Sequence, residues 1–118
     1  MKSQITPICH NNDFRRIYNR GKSFVTPVVV VYVLKNREKK TRIGITTSKK
    51  IGNAVKRNRS RRIIREAWRE ISPYLQSGND YIFVARGKTP YVKMQQVKKQ
   101  LETSLKKAGL YNKETKPV

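Results

Sequence analysis

Between Lys49 and Arg69 the chain carries Lys49, Lys50, Lys56, Arg57, Arg59, Arg61, Arg62, Arg65 and Arg69 against a single acid, Glu66. Arginine forks grip phosphate oxygens in pairs, and Asn58, set between Arg57 and Arg59, adds a neutral group able to read a base edge or a 2′-hydroxyl. The chemistry open to such an array is the holding of a polyanion. At ~100° per residue, Ser60, Ile63, Ile64, Ala67, Trp68 and Ile71 gather in one arc, opposite Asn58, Arg61, Arg62, Arg65 and Arg69. The stretch therefore predicts a helix with one face made for burial and one for anions. A charge run of this kind is often only a solvated helix face. The excess of arginine over lysine argues for binding, as does a helix N-terminus whose dipole adds to Lys49, Lys50 and Lys56.

The whole chain points the same way. Its 28 Lys and Arg against seven acids leave 118 residues with a formal net charge of +21, a self-repulsion that a polyanionic partner relieves. An anionic membrane would need the apolar face of a basic helix free for lipid, and here that face is needed for a core. No apolar run approaches the ~18 residues of a spanning helix, and Met1–His10 lacks a signal-peptide pattern. The expectation is a cytoplasmic protein that does not engage membrane.

Catalysis by the chain itself is poorly provided for. Asp13, Glu38, Glu66, Glu70, Asp80, Glu102 and Glu114 are scattered nearly one per element, whereas a metal-dependent nuclease needs carboxylates converging on its ions. Glu66 and Glu70 lie one turn apart, where salt bridges with Arg62 and Arg69 are the expected role. Cys9 and His10 lack the further ligands of a zinc site, and Gly44, Gly52 and Gly87 are too isolated for a phosphate loop. No catalytic residue and no metal ligand are predicted.

The elements that must position these groups read as one domain over 1–118, with 1–11 and 112–118 loosely ordered. Asn11 or Asn12 is expected to cap a helix over 13–19, with Gly21 just past its end. Val28–Leu34, apolar on both faces, is the strongest strand signal, and a shorter strand at Phe24–Val25 precedes Pro27. A strand from Arg42, with Ile43 and Ile45 on one face, follows a six-residue connection that fits an antiparallel hairpin. Asn53 is placed to cap the arginine-rich helix, which Pro73 stops. A buried strand over 81–86 then makes a βαβ unit with parallel strands. A last helix carries Met94, Val97, Leu101, Leu105 and Ala108 in a stripe, ending near Gly109. The order is αβββαβα, an α+β sandwich on a mixed four-stranded sheet. Phe14 and Tyr18 share a face of the first helix, and Tyr32 is expected on one strand face with Val28, Val30 and Leu34. Spacing leaves two roles open for these rings, core packing and a cleft on which unpaired bases stack.

The run from Ser48 to Ala67, with Arg57-Asn58-Arg59 followed by Arg61, Arg62 and Arg65, resembles the signature of the bacterial ribonuclease P protein component. Asp13-Phe14 before Gly21, Arg42-Ile-Gly-Ile before Ser48-Lys-Lys, and Asp80–Arg86 extend the resemblance over most of the chain. It implies a cofactor protein for a catalytic RNA that removes the 5′ leader of precursor tRNA by Mg²⁺-dependent hydrolysis. The RNA would hold the metal. By the same resemblance Lys49, Lys50, Arg57, Asn58, Arg61, Arg62 and Arg65 contact the catalytic RNA, and Phe14, Tyr18 and Tyr32 line a leader cleft; Lys56, Arg59 and Arg69 are expected to join the RNA-binding face. The family also implies a left-handed crossover around the central helix, against the general right-handed rule, and no obligatory protein partner. The alternative is a ribosomal or general RNA-binding protein of related α+β fold with no nuclease role.

Overall fold

Alternation along β3 (Val29–Lys35) assigns the two faces of the sheet: Val29, Val31 and Val33 are buried on one side, and Val30, Tyr32 and Leu34 half-buried on the other. The computed structural model describes residues 6–111. Along the chain run β1 (Thr6–Pro7), α1 (Asn11–Arg20), β2 (Lys22–Val25), β3, β4 (Arg42–Thr46), α2 (Ala54–Ile71), β5 (Asn79–Ala85) and α3 (Met94–Lys107). The sheet order is β1-β4-β5-β3-β2, mixed, with β4 parallel and β3 antiparallel to β5. This is a single α+β domain, and the parallel pairing of β4 with β5 is the one expected of a βαβ unit.

Several expectations are corrected. The predicted hairpin of β3 with β4 does not form, because β5 lies between them. Tyr81, Ile82 and Phe83 are fully buried, so β5 is apolar on both faces and takes the centre, beside the equally apolar β3. The sheet has five strands rather than four. The extra one comes from the supposed loose leader: Thr6 and Pro7 pair with β4, and Ile8 is buried and donates its N–H to Ile43 O at 2.9 Å. Pro7, with no N–H, is tolerated on that edge. Residues 1–5 and 112–118 lie outside the described residues. The same pairing feeds the chain into α1 early, so the cap is His10 rather than Asn11 or Asn12.

The lower face carries the main core. The α2 arc predicted from the wheel, Ser60, Ile63, Ile64, Ala67, Trp68 and Ile71, is the buried set, and Trp68 meets Tyr81 and Phe83 at ring-centroid distances of 5.3 and 5.6 Å. From α3, Val97, Leu101 and Leu105 join this core, whereas Ala108 is exposed at the helix end. Val28 belongs here too, not beside Tyr32. It precedes β3 in a turn held by Thr26, whose hydroxyl accepts the Val29 N–H at 2.9 Å, so the strand's period of two does not reach it.

Candidate nucleic-acid interface

Strand register writes three rows across β4, β5 and β3 on the upper face: Arg42–Asp80–Leu34, Gly44–Ile82–Tyr32 and Thr46–Val84–Val30. Helix α1 crosses them. Over the first row lies an ionic clamp: Asp80, fully buried, receives Arg42 Nε and Nη2 at 2.7 Å each and Asn36 Nδ2 at 2.9 Å. Arg42 also reaches Asp13 of α1 at 3.4 Å, and Arg16 of α1 pairs with Asp13 at 3.1 Å. The hydrogen bonds and charge of Asp80 raise the Arg42 guanidinium further above its already high range, against the opposing effect of burial. The clamp holds a charged pair where neither member can leave without stranding the other.

Over the second row, Ile17 is buried against Ile82 and Ile8, forming a small second core. Phe14 lies on Gly44, where a Cβ would stand 2.9 Å from the ring. Any side chain at 44 would lift Phe14 off the sheet. Tyr18 meets Tyr32 edge-to-face at 4.8 Å and Phe14 at 6.3 Å, and its hydroxyl bonds Thr46 Oγ1 at 3.0 Å in the third row. All three rings are half-buried, and so are Thr46, Val84 and Val30. The rings are thus neither fully in the core nor free of it: they pack on one side and face solvent on the other. The arrangement is a half-exposed aromatic patch beside Val30 and Val84, whose ring faces and edges suit planar groups.

The arginine array grows from β4. The turn Lys49–Ile51 buries Ile51 and leaves Lys49 and Lys50 exposed. Asn53 caps α2 as predicted, accepting the Lys56 N–H at 3.0 Å, and no acid occupies the first turn, so the helix terminus stays positive. Arg57 is half-buried and donates to Gly52 O at 2.9 Å, while Arg61 Nε donates to Thr47 Oγ1 at 3.0 Å, tying the helix to the end of β4. Asn58, Arg59, Arg61, Arg62, Arg65 and Arg69 are exposed. Among the described residues none of these cations joins an ion pair. Glu70 bonds Lys98 of α3 at 2.8 Å, so the expected bridges of Glu66 and Glu70 to Arg62 and Arg69 are not made. The guanidinium face remains open to a partner.

The structure sets Phe14, Tyr18 and Tyr32 side by side and the α2 cations along one helix face, while the Arg42–Asp80 clamp was not among the expectations. A signal existed. Arg42 opens one strand and Asp80 falls at the start of another, and a parallel pairing places them side by side. Among the described residues no group of three His, Cys, Asp or Glu side chains could hold a metal ion, and no helix is long and apolar enough to cross a membrane.

Comparison with known proteins agrees with this geometry. The ribonuclease P family model matches residues 4–109. The ribonuclease P protein component of Clostridium beijerinckii is 40% identical over 111 residues, covering 88% of this chain and 89% of the relative. The structure of the Staphylococcus aureus RNase P protein superposes with a TM-score of 0.79 at 37% identity, covering 92% of this chain and all of that one. The RNase P protein from Thermotoga maritima does so with a TM-score of 0.75 at 30% identity, over 86% and 96% of the two chains. With the family model spanning residues 4–109 and relatives matched over most of both chains, the chain belongs to the ribonuclease P protein family.

Proposed function

We propose that this protein docks the exposed face of α2 on the catalytic RNA of ribonuclease P and holds the 5′ leader of precursor tRNA in the cleft of Phe14, Tyr18 and Tyr32. The observation that carries the reading is the pairing of two chemically different surfaces on one scaffold. Unpaired guanidinium groups suit a phosphate backbone whatever its sequence, and half-exposed rings suit unstacked bases. The action is linkage: contacts to both RNAs raise the affinity of each for the other, and the protein's charge replaces counterions that would otherwise hold two polyanions together. Mg²⁺ is read as held by the RNA subunit, as the family resemblance implies, with the protein contributing charge and contacts rather than metal ligands. The partners are the RNA subunit and precursor tRNA, without an obligatory protein partner, in the cytoplasm.

Reconstitution tests this. Added to ribonuclease P RNA at low Mg²⁺, the protein is expected to stimulate cleavage of precursor tRNA. Absence of stimulation would favour a ribosomal or general RNA-binding role.

A further inference from the structure

Among the described residues three large apolar side chains stand out in solvent, Val25, Val55 and Tyr91. Two of them flank the start of α2: Val55 in its first turn, and Tyr91 in the short turn Thr89–Tyr91 that packs against that helix. The exposure of Tyr91 is imposed by its neighbours. Thr89 is fully buried, donating its hydroxyl to Val28 O at 2.6 Å and accepting the Arg86 N–H at 2.8 Å. Pro90 is buried and Val92 packs on the main core. With the residues on both sides anchored inward, the ring at 91 is turned out, and it is 67% exposed.

One cation is built onto this ring. Gly52 has φ +137°, and a Cβ there would stand 2.7 Å from Lys56 Cδ. The missing side chain lets the Lys56 stem lie across the turn, which places its ammonium 5.4 Å from the Tyr91 centroid. Lys88 and Lys93, both exposed, bracket Tyr91 in the chain, and neither this turn nor the first turn of α2 contains an acid. An outward ring in a field of cations is poorly suited to an apolar protein partner, which would have to bury those ammonium groups. It matches a strand that offers a flat base and phosphates together.

We propose that Tyr91 is a stacking platform for an unpaired base of ribonuclease P RNA, with Lys56, Lys88 and Lys93 on the flanking phosphates. This rests on the reading of α2 as the helix that docks the catalytic RNA. It adds a base contact outside both the arginine face and the leader cleft.

The test is equilibrium binding of the intact protein to ribonuclease P RNA at fixed salt, for wild type, Tyr91→Phe, Tyr91→Leu and Tyr91→Ala, with thermal melting of each. Phe is expected to keep wild-type affinity and Ala to lose about tenfold, with melting temperatures alike. The salt slope should be the same throughout, since no charge is removed, and the leader-length dependence of precursor tRNA binding should not move. Equal affinity of the Ala variant overturns the platform, and so does full rescue by Leu, which has no π-face. A loss that tracks a lowered melting temperature also overturns it. Wild-type protein that binds this RNA no better than an unrelated structured RNA overturns instead the reading of α2 on which the proposal rests.

Discussion

Beneath the sheet, α2 and α3 close an apolar core over Ile43, Tyr81, Phe83, Val31 and Val33, with Trp68 almost fully enclosed. Above it, α1 is held by a three-residue core of Ile8, Ile17 and Ile82, the Arg42–Asp80 clamp, and rings that remain half in solvent. The same strands thus present one face that is sealed and another that stays partly open to solvent. The difference follows from coverage. Two long helices shield the lower face, while the ten-residue α1 shields only part of the upper one. A polar clamp in place of more apolar burial fixes where α1 sits without filling the space beside it.

The largest expected effect lies below the sheet. Trp68→Ala should destabilise by about 3–5 kcal/mol, as for other large buried aromatics, seen in denaturant unfolding; a loss as small as that from Phe14→Ala would erase the contrast between the faces. Asp80→Asn should cost about 3 kcal/mol by leaving Arg42 with a weakened partner. It should also lower precursor tRNA affinity more for long leaders than for leaderless substrate, because α1 is released. Uniform loss across substrates would deny the clamp its role in placing the cleft.

Alkaline pH separates the faces as well. Burial pushes the Tyr81 hydroxyl from 10 up to about 12, opposed in part by a hydrogen bond from Asn79, so the folded state favours the neutral phenol. The resulting stabilisation is complete below pH 10 and is lost as pH rises through 12. It amounts to roughly 2–3 kcal/mol, and melting of Tyr81→Phe should show a correspondingly smaller alkaline loss. On the upper face, affinity should rise with leader length up to the reach of the cleft. Phe14→Ala or Tyr32→Ala should abolish that rise at a cost of about 1–3 kcal/mol, and unchanged leader dependence in both would remove the rings from substrate binding. The smallest effect is expected at single arginines. Arg62→Ala or Arg65→Ala should leave melting unchanged and reduce the salt slope of RNA binding by about 1 each; a shifted melting temperature would show that these side chains support the fold instead.

The legible parts of the sequence were those governed by short-range periodicity. Along α2, a 3.6-residue repeat sorts Ile64 and Trp68 inward and Arg62 and Arg65 outward whatever the helix packs on, so its buried arc could be read directly. The cap at Asn53 is equally local, since the side chain meets an N–H three residues on. The clamp was hidden because Arg42 and Asp80 lie 38 residues apart, and only strand register brings them level. The hairpin expected between β3 and β4 failed for a related reason. Local spacing permits such a turn, but the choice of neighbour in a sheet is made by competition among all strands for the doubly buried centre, which β5 won.

By itself, then, the sequence determined that the protein would carry a fixed excess of positive charge, display guanidinium groups along one helix face and bury the other. These follow from composition and from periods of a few residues. Tertiary structure decided which side chains lie beside which: Phe14 on Gly44, Tyr18 against Tyr32, Arg42 on Asp80, Lys56 beneath Tyr91. Those pairings set how far each ring is covered and how far it stays open. They come from the order and register of strands distant in the chain, whose relative placement is fixed only when the whole core packs at once.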